Sequence, residues 1–117
     1  MITEPKEGVV LPAGNITVAV QVKNFNLSNK SGQANATGEG HIHYFMDVIP
    51  PTTQGQPAVT AAGTYAAVTD LSYTWQNVKA GTHTFSVELV NNDNTPLATP
   101  VVVTVVVVVT TSAGGGP

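Results

Sequence analysis

The sequence predicts an all-β fold, an antiparallel sandwich of about seven short strands. Three observations predict it. Apolar residues recur with period 2 in segment after segment, and clusters of Gly, Pro, Asn and Ser separate those segments. Valine supplies 19 of the 117 residues, and β-branched side chains dominate the apolar set. No stretch of ten or more residues carries a helical period.

The elements follow in order. Gly8–Leu11 reads as a short edge strand, ended by Pro12 and Gly14. Ile16–Lys23 alternates cleanly, with Ile16, Val18, Val20 and Val22 on one face. Asn24 to Gly40 is polar and rich in Asn, Ser and Gly, the signature of a long loop. His41–Val48 is the second strong strand, stopped by Ile49-Pro50-Pro51. Ala58–Val68 is weakly patterned, with room for one or two short strands around Gly63. Leu71–Asn77 places Leu71, Tyr73 and Trp75 on one face, and Lys79-Ala80-Gly81 is a turn. Thr82–Val90 groups His83, Phe85, Val87 and Leu89. After the turn-rich Asn91–Pro96 comes the valine run 101–109, the last strand.

In order these give strands A near 9–11, B 16–23, C 41–48, a D region near 58–68, E 71–77, F 82–90 and G 101–110. The sequence of long and short connections suits an immunoglobulin-like Greek key, with a closed barrel as the alternative. A single domain over 1–110 is expected, followed by a flexible Gly-rich linker over 111–117. The core is expected to hold Val18, Val20, Val22, Ile42, Tyr44, Met46, Trp75, Phe85, Val87 and Leu89, each on the apolar face of its strand.

Composition removes several functions. Only 9% of residues are charged, the net charge is −3, and four scattered lysines stand without any arginine. That cannot build the basic face that nucleic acid requires. With no cysteine there is no disulfide and no thiol-based metal or catalytic site. The valine run is nine residues long, far short of the roughly 20 that a membrane helix needs. Catalysis has little sequence support: Ser, His and Asp are present, but neither a Gly-x-Ser-x-Gly elbow nor a phosphate loop before a helix, and Glu39 and Asp47 make no convincing acid–base pair. The N-terminus lacks the features of a signal peptide.

Three pieces of the chain occur together: Gly38-Glu-Gly-His-Ile-His-Tyr-Phe-Met-Asp47, then Tyr73-Thr-Trp75 with Ala80-Gly-Thr-His-Thr-Phe85, and Val87-Glu-Leu-Val-Asn-Asn-Asp93 with Thr95-Pro96-Leu97. In these the chain resembles secreted prokaryotic immunoglobulin-like domains that carry a Gly-x-Gly-His-x-His-x-x-x-Asp segment. The resemblance covers most of residues 9–110, and only the Gly-His-x-His segment is moderately specific. It implies an exported, non-catalytic domain at the cell surface. The chain departs at Asn94, which stands where the resemblance places a histidine, and this weakens any metal site drawn from it.

His41-x-His43 is the sharpest feature of the sequence. A spacing of two puts both imidazoles on one face of a strand, a common way to offer nitrogen ligands to copper or zinc. With Ile42, Tyr44, Met46 and Val48 toward the core, His41, His43, Phe45 and Asp47 are expected to face outward. Antiparallel pairing with strand F lays His41 beside Val90, His43 beside Glu88 and Asp47 beside Thr84. The loop after F brings Asp93 toward His41. The candidate metal site is therefore His41, His43, Glu88 and Asp93. The plain alternative is a pair of exposed strand histidines with Glu88 as cross-strand neighbour.

Other features read more simply. His83 is a structural histidine whose polar tip needs a partner, and Trp75 and Tyr73 are core. Asn15, Asn26, Asn29 and Asn35 begin Asn-x-Ser/Thr triplets, which an Asn-rich composition also makes by chance. Valines on both faces of the last strand leave Val102, Val106 and Val108 without a core to enter. A cover from the segment around Val9–Leu11 and from neighbouring domains or subunits is expected. Two function classes stand: an extracellular structural or adhesive module, and a copper- or zinc-binding module.

Overall fold

The computed structural model describes residues 1–111. Apart from Thr111, the expected linker lies outside the described residues. Nine strands and no helix are present among the described residues: β1 (Ile2–Glu4), β2 (Val10–Pro12), β3 (Gly14–Val20), β4 (Asn26–Leu27), β5 (Glu39–Met46), β6 (Tyr65–Val68), β7 (Ser72–Val78), β8 (Gly81–Asn91) and β9 (Pro96–Thr110). Two sheets form. One is β1-β3-β7, and the other runs β2-β9-β8-β5-β4 with β6 added to β5. The larger sheet curls as a half-barrel rather than lying flat.

The facing of the strands follows from period 2. Ile16, Val18, Val20, Trp75 and Val78 of the small sheet meet Ile42, Tyr44, Phe85, Val87, Val105, Val107 and Val109 of the large one in a single core. Seven of the ten expected core residues are buried, and Val22, Met46 and Leu89 pack against them half-buried. Tyr44 stacks on Tyr73 with ring centroids 5.7 Å apart. Its hydroxyl leaves the core to donate to the Asp70 carbonyl at 2.7 Å. Burial pushes that phenol up to about 12, with the Asp70 charge adding to it, so it stays a donor.

Sequence and structure differ in places. Leu71, expected to share a face with Tyr73 and Trp75, is 50% exposed, because β7 starts one residue later. β1 was not expected: three residues show too little alternation to register as a strand. β9 starts at Pro96 rather than 101, and a bulge carries its pairing from Leu89↔Val101 to Val90↔Pro96. The N-terminal segment does pair with the last strand, but along its edge rather than over its outward face. β2 pairs β9 in parallel with Val10↔Val108, and Gly8 N–H donates to the Val106 carbonyl at 2.8 Å. The outward valines Val102, Val106 and Val108 stay exposed.

The main correction concerns β5. His41, His43 and Phe45 were expected to face water, yet they are 3%, 0% and 0% exposed. Side-chain direction follows the pleat as expected, but the outer face is roofed. The ring of Tyr65 lies against His43 and Phe45, and the Ala58 carbonyl meets His43. The result is a second, partly polar core outside the large sheet, holding His41, His43, Phe45, Ser86 and Glu88.

Candidate functional site

The site begins at Gly40. A Cβ there would lie 1.8 Å from the Val90 carbonyl oxygen and 3.0 Å from the Phe25 ring, so only glycine lets β5 enter the sheet beside β8 at this point. The register that follows is the one the sequence implies: His41↔Val90, His43↔Glu88 and Phe45↔Ser86. The two imidazoles and the Glu88 carboxylate therefore share the outer face.

Three connections meet over that face. Asn92 anchors the first, accepting from Gly32 N–H at 2.7 Å and donating through Nδ2 to the Ala34 carbonyl and to Glu39 Oε1 at 3.0 and 2.8 Å. The Asn92 amide, followed by Lys30, holds the Glu39 carboxyl below its ordinary value. The second connection reaches the site at Ala58, whose N–H donates to the Asn94 carbonyl at 2.7 Å. The third is the β8–β9 turn. Asn94 adopts a left-handed φ of 71° there, which asparagine tolerates and which turns its side chain inward.

Asn94 closes the cluster. Its Oδ1 lies 2.8 Å from His41 Nε2 and 3.2 Å from His43 Nε2, and those two nitrogens are 3.2 Å apart. His43 Nδ1 donates to the Ala58 carbonyl at 2.7 Å, which fixes the tautomer and leaves Nε2 as a bare lone pair. Burial lowers the His43 pKa, the Ala58 hydrogen bond opposes this, and the His41 charge adds to the lowering, so the ring is neutral near pH 7. His41 Nδ1 is buried without a partner.

Glu88 is fully buried and neither of its carboxylate oxygens has a hydrogen-bond partner. Burial pushes its pKa up to about 7. Asp93 is not brought to the histidines. Its Oδ1 accepts from the Thr95 N–H and hydroxyl, and its own N–H donates to Asn35 Oδ1 at 2.9 Å. Among the described residues, no three of His, Asp and Glu gather as a metal-ligand group. Of the four expected residues, His41 and His43 come together, Glu88 lies opposite His43 in the register, and Asp93 is replaced by its neighbour Asn94. The signal for Asn94 was local: a turn of Asn and Asp residues needs one member in the left-handed region. Sequence reasoning instead compared Asn94 with a histidine and discounted it.

His83 stands apart at the other end of β8. Its Nδ1 is 2.6 Å from Asp47 Oδ2 and its Nε2 is 2.7 Å from the Lys79 carbonyl. It is a satisfied structural histidine, as expected.

Comparison with known protein families, curated proteins and solved structures returns no match to this chain.

Proposed function

We propose that the chain is a non-catalytic structural or adhesive module of an extracellular or cell-surface protein, with an immunoglobulin-like Greek-key sandwich. Strand order supports the fold reading. β3 and β7 correspond to B and E, while β2, the strand expected as A, joins β9, β8 and β5, which correspond to G, F and C. The resemblance in the Gly-His-x-His segment supports the exported setting. The elongated shape, 54 × 26 × 21 Å, suits a bead in a larger assembly. Nucleic acid has no role in this reading. No helix among the described residues is long and apolar enough to cross a membrane.

One observation carries the proposal. Val102, Val106 and Val108 form an outward apolar stripe on β9, each 36–41% exposed. Beside it, β2 and the Glu7 carboxylate satisfy the β9 edge at residues 106–110, and the pairing stops before Thr104 and Val102. An apolar stripe next to an open strand edge is a surface for a neighbouring domain or subunit. Sedimentation over a range of protein concentrations tests this. The wild type is expected to self-associate, and Val106→Thr/Val108→Thr is expected to shift it toward monomer. Equal masses for both at every concentration would exclude the stripe as a contact between copies.

A further inference from the structure

We propose that His41, His43 and Asn94 form a binding site for a borderline transition-metal dication, copper(II) ahead of zinc(II). This inference is independent of the adhesive reading and rests on the donors themselves. Three atoms point at one spot: His41 Nε2, His43 Nε2 and Asn94 Oδ1, with separations of 2.8, 3.2 and 3.2 Å. Ligands held about 2.0–2.1 Å from a shared ion lie about 2.9 Å apart at right angles and about 3.4 Å apart at tetrahedral angles. Two sides of the observed triangle, 3.2 Å each, lie between these values, and the third, 2.8 Å, is close to the right-angled one. Two imidazoles and an amide oxygen suit either ion, and the general affinity order places copper(II) above zinc(II).

Proton counting argues the same way. The Ala58 carbonyl takes the only proton of a neutral His43, so His43 Nε2 offers a lone pair. Asn94 Oδ1 offers another. A single N–H on His41 Nε2 and the Ser31 hydroxyl, 3.4 Å from Asn94 Oδ1, are the only donors at hand. With its proton on Nδ1 instead, His41 also offers Nε2 as a lone pair, and a cation at the centre then satisfies three acceptors at once. The Ala58 carbonyl then acts as the outer partner that orients a metal-bound histidine.

Glu88 is the second, independent observation. Opposite His43 on the same face, it buries a carboxylate that no protein donor reaches. An unpartnered buried acid is costly, and a nearby dication offsets its charge. Access exists as well, because a small cleft lined by Ser28, Asn29, Ser31, Val68 and Thr69 opens onto His41.

One competing arrangement closes the cluster without an ion: the Asn94 amide rotated so that Nδ2 donates to both rings. Titration separates the two. The apo protein is titrated with copper(II) chloride alone and then with zinc(II) sulfate alone, following heat and, for copper, electron paramagnetic resonance. The expected result is one equivalent of copper with hyperfine structure from two imidazole nitrogens, and weaker zinc uptake at the same site. A His41→Gln/His43→Gln variant should lose that signal. Asn94→Asp keeps the shape, tolerates the left-handed backbone and supplies an anionic oxygen, so it should tighten copper at least tenfold. This second variant decides the matter if the histidine variant fails to fold. Absence of saturable copper uptake, a two-nitrogen signal that survives in the folded histidine variant, or no tightening in Asn94→Asp would each overturn the proposal.

Discussion

Asp47 and His83, 36 positions apart, hold each other across β5 and β8 through a 2.6 Å contact between Oδ2 and Nδ1. The same carboxylate caps the Thr84 N–H at 2.8 Å, and Asp47 reaches this position by adopting a φ of 60°. Both imidazole nitrogens face acceptors, so the doubly protonated ring suits the site best. Burial alone lowers the His83 pKa, but the Asp47 hydrogen bond, the Lys79 carbonyl and the Asp47 charge outweigh it, and the net shift is upward.

A pH dependence follows. A histidine whose folded pKa is raised stabilises the fold fully below its unfolded value of about 6.5, and that stability is lost as pH rises through the folded pKa. Asp47→Asn should therefore cost on the order of 1 kcal/mol at pH 5.5 and much less at pH 9. Urea midpoints of the two proteins at both values check this; a gap that does not narrow with pH would contradict it.

Glu88 acts in the same direction, because its pKa too is raised on folding. Its folded pKa is raised from 4.5 to about 7, so the folded state binds the extra proton between those values. Stability falls as pH climbs through that interval and stays lower above it. Glu88→Gln should remove the fall, giving a gain of about 3 kcal/mol at pH 8 and little change at pH 4. Denaturation in the presence of a chelator isolates this effect from any bound ion.

Gly40→Ala places a methyl group on the Val90 carbonyl, which is backbone and cannot swing aside. The strands must part, at a cost of roughly 1–3 kcal/mol or more. Thermal melts should show it. An unchanged melting temperature would mean that β5 and β8 are not so closely apposed.

Phe85 is fully buried where β8 crosses the core. Phe85→Ala should cost roughly 3–5 kcal/mol, a large share of the stability of a domain this size. Equilibrium unfolding in urea measures it, and a small loss would show that the ring does not fill the core.

The inner half of this molecule was legible because period 2 states it directly. Val18, Ile42, Trp75 and Phe85 could face only one way, and the β5–β8 register followed from matching their apolar faces. The outer half was not legible. Whether His41 and His43 meet water depends on where the connections around Ala58 and Asn94 run, and those segments carry no periodicity. Alternation gives the direction of a side chain but not what lies above it. Asn94 was hidden for a further reason: its role comes from a backbone angle that many turn residues can adopt.

The parallel pairing of β2 with β9 has a mechanical consequence. Tension on the chain preceding β2 and on the chain following β9 pulls the two strands in opposite directions along a shared axis. The bonds Gly8 N–H to Val106 O, Val108 N–H to Val9 O and Ala13 N–H to Thr110 O, 2.8, 3.0 and 2.8 Å long, then bear the load together in shear. A hairpin pulled at its open end gives way one bond at a time. Here these bonds, the β2–β9 ladder between them and the Glu7 contact to Val106 N–H must yield together. The clamp lies beside the valine stripe, so a neighbour packed on β9 would brace the strand that carries the force.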